Sequence, residues 1–251
     1  MSAAPLPVLV VVSGPMGSGK TTLAHQIARS AGCPAICRDE IKEGMVHAAP
    51  GFVAGPGDEL TMRTLPVFFG VLELLLRAGV TTVAEAAFQD KVWRAGLEPL
   101  SGIARIRIVH CVVDAEVAFG RSLRRRETYP LRRAHADPRP ADAAARASAH
   151  RAFDRLSLAA PWIEVDTTDG YVPSLDEIVA FAVGRELRPV RVAVPPACRD
   201  RAALLRRPDR GRGRGDRHAP GPGGCACRSG TPASTRTGWA AWSPGQRVSL
   251  P

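Results

Sequence analysis

Residues 8–21 read Val8-Leu9-Val10-Val11-Val12-Ser13-Gly14-Pro15-Met16-Gly17-Ser18-Gly19-Lys20-Thr21. The apolar run 8–12 fits a parallel strand buried on both faces. It passes straight into the pattern G-x-x-x-x-G-K-[ST]. A helical pattern follows, with Leu23 and Ile27 four residues apart and Gly32 as a stop. Strand, glycine loop and helix in that order are the context a phosphate-binding loop requires. Its glycines let the backbone curl until successive N–H groups converge on phosphate oxygens, and the positive end of the helix dipole faces the same point. Gly14, Gly17, Ser18, Gly19, Lys20, Thr21 and Thr22 are therefore the expected nucleotide-binding residues. Lys20 can reach the β- and γ-phosphates and the Thr21 hydroxyl can ligate Mg²⁺, so ATP and Mg²⁺ are the expected cofactors.

Working outward, strand and helix signals alternate as far as residue 184. A short strand at 35–37 leads into Arg38-Asp39-Glu40-Ile41-Lys42, and a Gly/Pro-rich loop covers 50–57. Met62, Leu65, Phe69, Leu72 and Leu76 then recur at helical spacing, a stripe that reads as core packing, with Pro66 bending the helix or delaying its start. Residues 80–84 read as a strand ending at Glu85. Asp90 is placed to cap a helix over 91–100. A strand at 105–113, helices at 115–127 and 141–158, a strand at 162–165 and a helix at 175–183 complete the pattern. Five short strands joined by helical crossovers predict an α/β fold of the P-loop NTPase type: a five-stranded parallel sheet in a three-layer α/β/α sandwich.

The net charge of +10 first suggests a nucleic-acid partner. Residues 1–184, however, carry 20 basic and 20 acidic side chains, whereas 185–251 carry 14 Arg against 4 acids. The excess belongs wholly to the Arg/Pro/Gly-rich tail, which lacks the apolar content to offset chain entropy and is expected to be disordered. We therefore divide the chain into an ATP-binding domain, 1–184, and a tail, 185–251. Nucleic-acid binding is not expected of the domain, and only weakly of the tail, which has no repeated RGG pattern. The six cysteines are scattered and read as reduced thiols, Cys111 in a buried strand, and Cys225-Ala226-Cys227 lacks a second ligand pair for zinc. No apolar run approaches the ~20 residues of a membrane span, and residues 1–19 lack the basic start of a secretory signal, so a cytoplasmic protein is expected.

A phosphate loop does not by itself separate kinases from other nucleotide hydrolases. In open α/β sheets the ligand gathers at the carboxyl ends of the strands, where two acids stand. Asp39, after the second strand, can accept the proton of an attacking hydroxyl; the alternative is a helix cap for 40–47. Glu85, after the third strand, can hold Mg²⁺ through water or stand idle, and the two roles could be exchanged. Arg121, Arg124, Arg125 and Arg126, continued by Arg132 and Arg133, form a basic run before Tyr129-Pro130. Arg121 and Arg125 share a helical face and suit a lid that neutralises phosphoryl charge; the alternative is a solvated basic helix. Asp166 and Thr167, after the fifth strand, can border the adenine or simply form a loop. His25, His135 and His150 have no partner at metal-ligand spacing and read as ordinary polar positions.

Taken together, residues 14–22, Arg38-Asp39-Glu40-Ile41-Lys42, residues 83–88, the Arg121/Arg125 pair, residues 133–137 and residues 165–170 resemble one group. It is the small P-loop kinases of the adenylate-kinase-like kind, labelled broadly as AAA-family ATPases or zeta-toxin-like proteins. The group includes chloramphenicol phosphotransferase, zeta toxins, gluconate kinase and the kinase domain of phage-type polynucleotide kinase. The resemblance covers about residues 6–184. It implies that Asp39 activates the acceptor hydroxyl, that Arg121 and Arg125 touch the ATP phosphates, and that Lys42 belongs to an acceptor-side helix. Many members carry Asp where this chain has Glu85. No Walker B pair, sensor arginine or helical lid domain of a true AAA+ ATPase is evident.

The resulting expectation is a Mg·ATP-dependent kinase that phosphorylates a hydroxyl of a small molecule: antibiotic, sugar, nucleoside or nucleotide-sugar. Lys20, Asp39, Arg121 and Arg125 are its expected catalytic residues, Thr21 and Glu85 its metal residues. The rivals are a polynucleotide 5′-kinase using Arg38 and Lys42 beside Asp39, and a slow ATPase switch with Gln89 positioning water.

Overall fold

The structure is a computed structural model and describes residues 5–135, 147–148 and 150–184. The segment 185–251, with the tail expected there, lies outside the described residues, as do 141–146 and 149 of the expected helix 141–158. Strand β1 (Val8–Ser13) is the middle strand of a five-stranded sheet. It is followed by α1 (Lys20–Ala31), β2 (Ala35–Cys37), α2 (Arg38–His47), α3 (Glu59–Arg77), β3 (Thr82–Glu85) and α4 (Asp90–Leu97). Then come β4 (Arg105–Val112), α5 (Ala115–Thr128), β5 (Trp162–Asp166) and α6 (Leu175–Val183). The sheet order is β2-β3-β1-β4-β5 and every pairing is parallel, so the expected α/β architecture is present.

The period-two side-chain alternation of β1 splits the core between the two faces. Leu9 and Val11 enter a cluster with Phe68, Phe69, Leu72 and Leu76 of α3 and Trp93 and Leu97 of α4. Val8, Val10 and Val12 enter the other, with Leu23 and Ile27 of α1 and Ile178 and Ala182 of α6. The first face is aromatic: Phe88 and Trp93 meet edge-on at 4.8 Å and Phe68 meets Trp93 at 5.8 Å. Such pairs add about 0.5–1.5 kcal/mol each beyond their burial. Phe88 sits three residues after Glu85, and its carbonyl accepts the Ser13 hydroxyl at 2.9 Å. The end of β3 is thereby pinned beside the end of β1.

Five local expectations change. Pro66 does not delay the start of α3, because Asp58 caps the helix eight residues earlier, its carboxylate accepting the Thr61 N–H at 2.8 Å. The buried stripe includes Phe68 and excludes the exposed Met62. Asp90 does not cap α4; its carboxylate accepts the Ser157 N–H at 2.8 Å. That bond, with a bridge between Gln89 and Arg155, holds the chain extended there, so the predicted helix to residue 158 ends by 151. Pro99 likewise turns the end of the predicted helix 91–100 into a 3-10 turn, Glu98–Gly102. Among the described residues no helix is long and apolar enough to cross a membrane.

Candidate active site

The loop between β1 and α1 is shaped by what packs against it. A Cβ on Gly14 would lie 2.7 Å from the Cys111 carbonyl oxygen, and one on Gly17 would land on the Ala118 carbonyl of α5. Gly17 and Gly19 also have φ of 80° and 72°, where a side chain is strained. The Thr167 hydroxyl donates to the Ser18 carbonyl at 2.8 Å, tying the loop to the end of β5. The Ser18 hydroxyl is buried without a partner. Lys20 Nζ has one long hydrogen bond, 3.4 Å to the Pro15 carbonyl, and lies 3.9 Å from Glu85. An ammonium with spare donors, above a curled loop at a helix start, fits a phosphate.

Glu85 is the last residue of β3 and is buried. Burial pushes its carboxyl above the usual range; Lys20 opposes the rise, Asp39 adds to it, and the Thr21 hydroxyl bonds to the carboxylate. Thr21 and Glu85 thus present two hard oxygen ligands side by side, a donor set that fits Mg²⁺.

The opposite bank is α2. Cys37 stands at its N-cap position, and Asp39 lies within its first turn without capping it, so the helix-cap alternative is not what the fold uses. Asp39 accepts from Arg38 at 3.0 Å and lies 3.6 Å from Arg132. Burial would raise its pKa, but His135, Arg38 and Lys20 outweigh that and hold it at about 2. Lys42 and Glu43, a turn further along α2, serve a different end. Lys42 is buried and donates to Asp58 and to Thr61, both at 2.7 Å. It is committed to packing α2 on α3. Glu43, also buried, accepts the Tyr129 hydroxyl at 2.9 Å and lies 3.1 Å from His135 Nε2. Burial lowers the His135 pKa, with Asp39 pulling the other way.

Helix α5 and the 3-10 turn Pro130–Ala134 roof the cleft. Arg121 donates to the carbonyls of Thr167 and Thr168 at 2.8 and 3.1 Å. Another of its nitrogens lies 3.9 Å from where a Gly19 Cβ would be. Arg125 is exposed at the mouth, its guanidinium 5.6 Å from the Tyr129 ring centre. Between the phosphate loop and this roof lies a cleft of about 670 Å³, lined by Lys20, Thr21 and Thr22 below and by Arg121, Arg125 and Arg132 above, with Asp39 and Glu85 outside its lining. Gly17, Gly19 and Thr167 also line it, as do Gly170 and Tyr171. Asp166 faces solvent instead, its carboxylate accepting the Thr168 N–H at 2.8 Å.

Glu43, Tyr129 and Tyr171 carry no sequence signal for this site, and His135 read as an ordinary polar position. Their partners lie 86 and 92 residues apart along the chain. His25, also read as an ordinary polar position, lies beside Cys37 and Glu40. Asp137, in the stretch that carried the resemblance, lies outside the described residues.

No curated protein matches the sequence. Among solved structures, that of a "putative kinase" from Chloroflexus aurantiacus is 22% identical, with 72% of this chain and 100% of that one covered and a TM-score of 0.63. A sugar kinase from Janibacter sp. is 21% identical over 72% of this chain and 97% of its own, with a TM-score of 0.48. A gluconokinase from Sinorhizobium meliloti is 19% identical over 72% and 93%, with a TM-score of 0.42. At such identities the first similarity shows a shared fold. The model of one family, described as an AAA domain, matches residues 9–156, from β1 past the roof of the cleft. This chain belongs to that AAA domain family and has the fold of the small P-loop kinases.

Proposed function

We propose that the chain is a Mg·ATP-dependent kinase that transfers the γ-phosphoryl group to a hydroxyl of a small molecule. The observation that carries the reading is Asp39, an ionised carboxylate on the bank facing Lys20, within the field of that same lysine. Residues 14–22 hold the triphosphate, and Thr167, Gly170 and Tyr171 border the base. Thr21 and Glu85 would hold Mg²⁺, which would supply further neutralisation of the phosphates. The acceptor oxygen forms a bond to the γ-phosphorus as the bond to the β-phosphate oxygen breaks, and ADP departs. Lys20 and Arg125 offset the charge that moves onto the leaving group.

A carboxylate held at about 2 is a weak base. A loose phosphoryl-transfer transition state asks little proton removal at the outset, so Asp39 orients the hydroxyl and takes its proton late. Arg132 and Arg38 hold Asp39 in place meanwhile. We place the catalytic unit in residues 1–184 and assign the tail no part in transfer. Cys33, Cys37 and Cys111 as free thiols suit the cytoplasm.

Two rival readings lose support. A polynucleotide 5′-kinase would use Lys42 beside Asp39, but that ammonium is enclosed by Asp58 and Thr61. A hydrolytic switch would use Gln89, which is exposed at the start of α4 and paired in a backbone bridge with Arg155. The test is transfer of label from γ-labelled ATP to pooled sugars, nucleosides and hydroxyl-bearing antibiotics. Labelled acceptor is expected; ATP hydrolysis that no hydroxyl compound alters would sink the reading.

A further inference from the structure

His25, Cys37 and Glu40 come from three successive elements and meet behind the phosphate loop. His25 is in α1 one turn past Thr21, Cys37 ends β2, and Glu40 lies in the first turn of α2. His25 Nε2 is 3.6 Å from Cys37 Sγ and 2.7 Å from Glu40 Oε1, and the three ligand atoms all lie within 4.8 Å of one another. One thiol, one imidazole and one carboxylate make the donor mix of borderline divalent ions, quite unlike the oxygen pair at Thr21 and Glu85.

The spacing fits as well. Zn–S and Zn–N bonds of roughly 2.3 and 2.05 Å at a tetrahedral angle set sulfur and nitrogen about 3.5 Å apart. The His25–Glu40 separation is that of a hydrogen bond, and Glu40 is exposed, free to retreat by the roughly half ångström an inserted ion needs. His25 also lines the cleft, so a fourth position there is open to water. We propose that His25, Cys37 and Glu40 form a binding site for a zinc-class divalent cation, distinct from the Mg²⁺ position. An ion there clamps the phosphate-loop helix α1 to α2, the helix that carries Asp39. The proposal is independent of the kinase reading, since it rests only on these three ligands.

The test titrates the metal-free full-length chain with Co²⁺, whose spectrum reports ligand type. One equivalent should give a thiolate-to-cobalt charge-transfer band that Zn²⁺ removes and excess Mg²⁺ does not. Cys37→Ser should abolish the band. Because a serine in that buried position can disturb folding, His25→Ala and Glu40→Gln provide the second arm. Both change exposed side chains, and each should weaken Co²⁺ binding at least about 10-fold. Cys225→Ser/Cys227→Ser, in the tail, should leave the band intact. No band at stoichiometric Co²⁺, a band that survives Cys37→Ser, or full affinity in His25→Ala overturns the site. A band lost with the tail cysteines would place the metal there and overturn it equally.

Discussion

On the donor bank of the cleft, residues 14–22 are held largely through their backbone. Gly14 lies against the Cys111 carbonyl and Gly17 against Ala118, and the Ser18 carbonyl accepts from Thr167. On the α2 bank, the helix is held through ionisable side chains, two of them buried: Lys42 on Asp58 and Glu43 on Tyr129 and His135, with the part-exposed Asp39 on Arg38 and Arg132. A backbone cradle recognises what all nucleoside triphosphates share. A charge network can be rearranged by single substitutions, so under the proposed function the α2 bank is where the choice of acceptor would be set. It also makes the acceptor bank the more fragile of the two.

The sharpest way to break that contrast is on the donor side. Lys20→Ala removes the charge we assign to phosphate chemistry, a side chain held in the fold by only one long hydrogen bond and a 3.9 Å ion pair. Turnover should fall about 10³-fold with little change in melting temperature. Lys42→Met should do the reverse. It strands the Asp58 carboxylate, and chemical denaturation should register a loss of about 3–5 kcal/mol. Adding an apolar residue at Asp58 should recover part of it, whereas a strict sum of the two losses would show that the pair is not coupled.

These two substitutions also show what the sequence could and could not convey. Lys20 is legible because its role is set by neighbours within six residues, Gly14 to Thr21, whose backbone geometry is local. The parallel sheet is legible for the same reason: the continuous apolar run of β1 and the helical stripe of α3 are short-range patterns. Lys42 reads as an acceptor residue from its place three positions after Asp39, yet its partners are 16 and 19 residues on, across a Gly/Pro loop. Glu43, Tyr129 and His135 come together only when the roof folds over α2, and no periodicity encodes that meeting. Asp90 failed for a related reason: its helix-capping chemistry was available, but the distant Ser157 N–H took the carboxylate.

Tyr129→Phe probes the roof contact more gently. It leaves Glu43 with His135 alone, and a stability loss of about 2 kcal/mol is expected, with a raised KM for the acceptor. An unchanged denaturation midpoint would show that the roof does not depend on this bond.

The smallest effect lies outside both banks. His110 is buried in β4 with Nδ1 unpartnered, edge-on to Trp162 at 5.8 Å. Burial, then Arg155, lowers its pKa from 6.5 to about 4. The unfolded chain therefore takes up a proton as pH drops below 6.5 while the folded chain does not, and stability is lost between there and pH 4. At pH 5 that loss amounts to about 2 kcal/mol for this one group. His110→Phe should flatten the melting curve over that window. An identical pH dependence in the variant would assign the loss to other groups.

The most direct measurement compares Asp39→Asn with the unaltered chain, reading transfer from labelled ATP and nucleotide affinity on the same samples. Our account predicts unchanged or slightly tighter ATP binding, since a negative charge facing the phosphates is removed. It predicts turnover lower by about 10²-fold or more. An Asp39→Asn enzyme that turns over at the full rate would contradict the assignment of the acceptor bank.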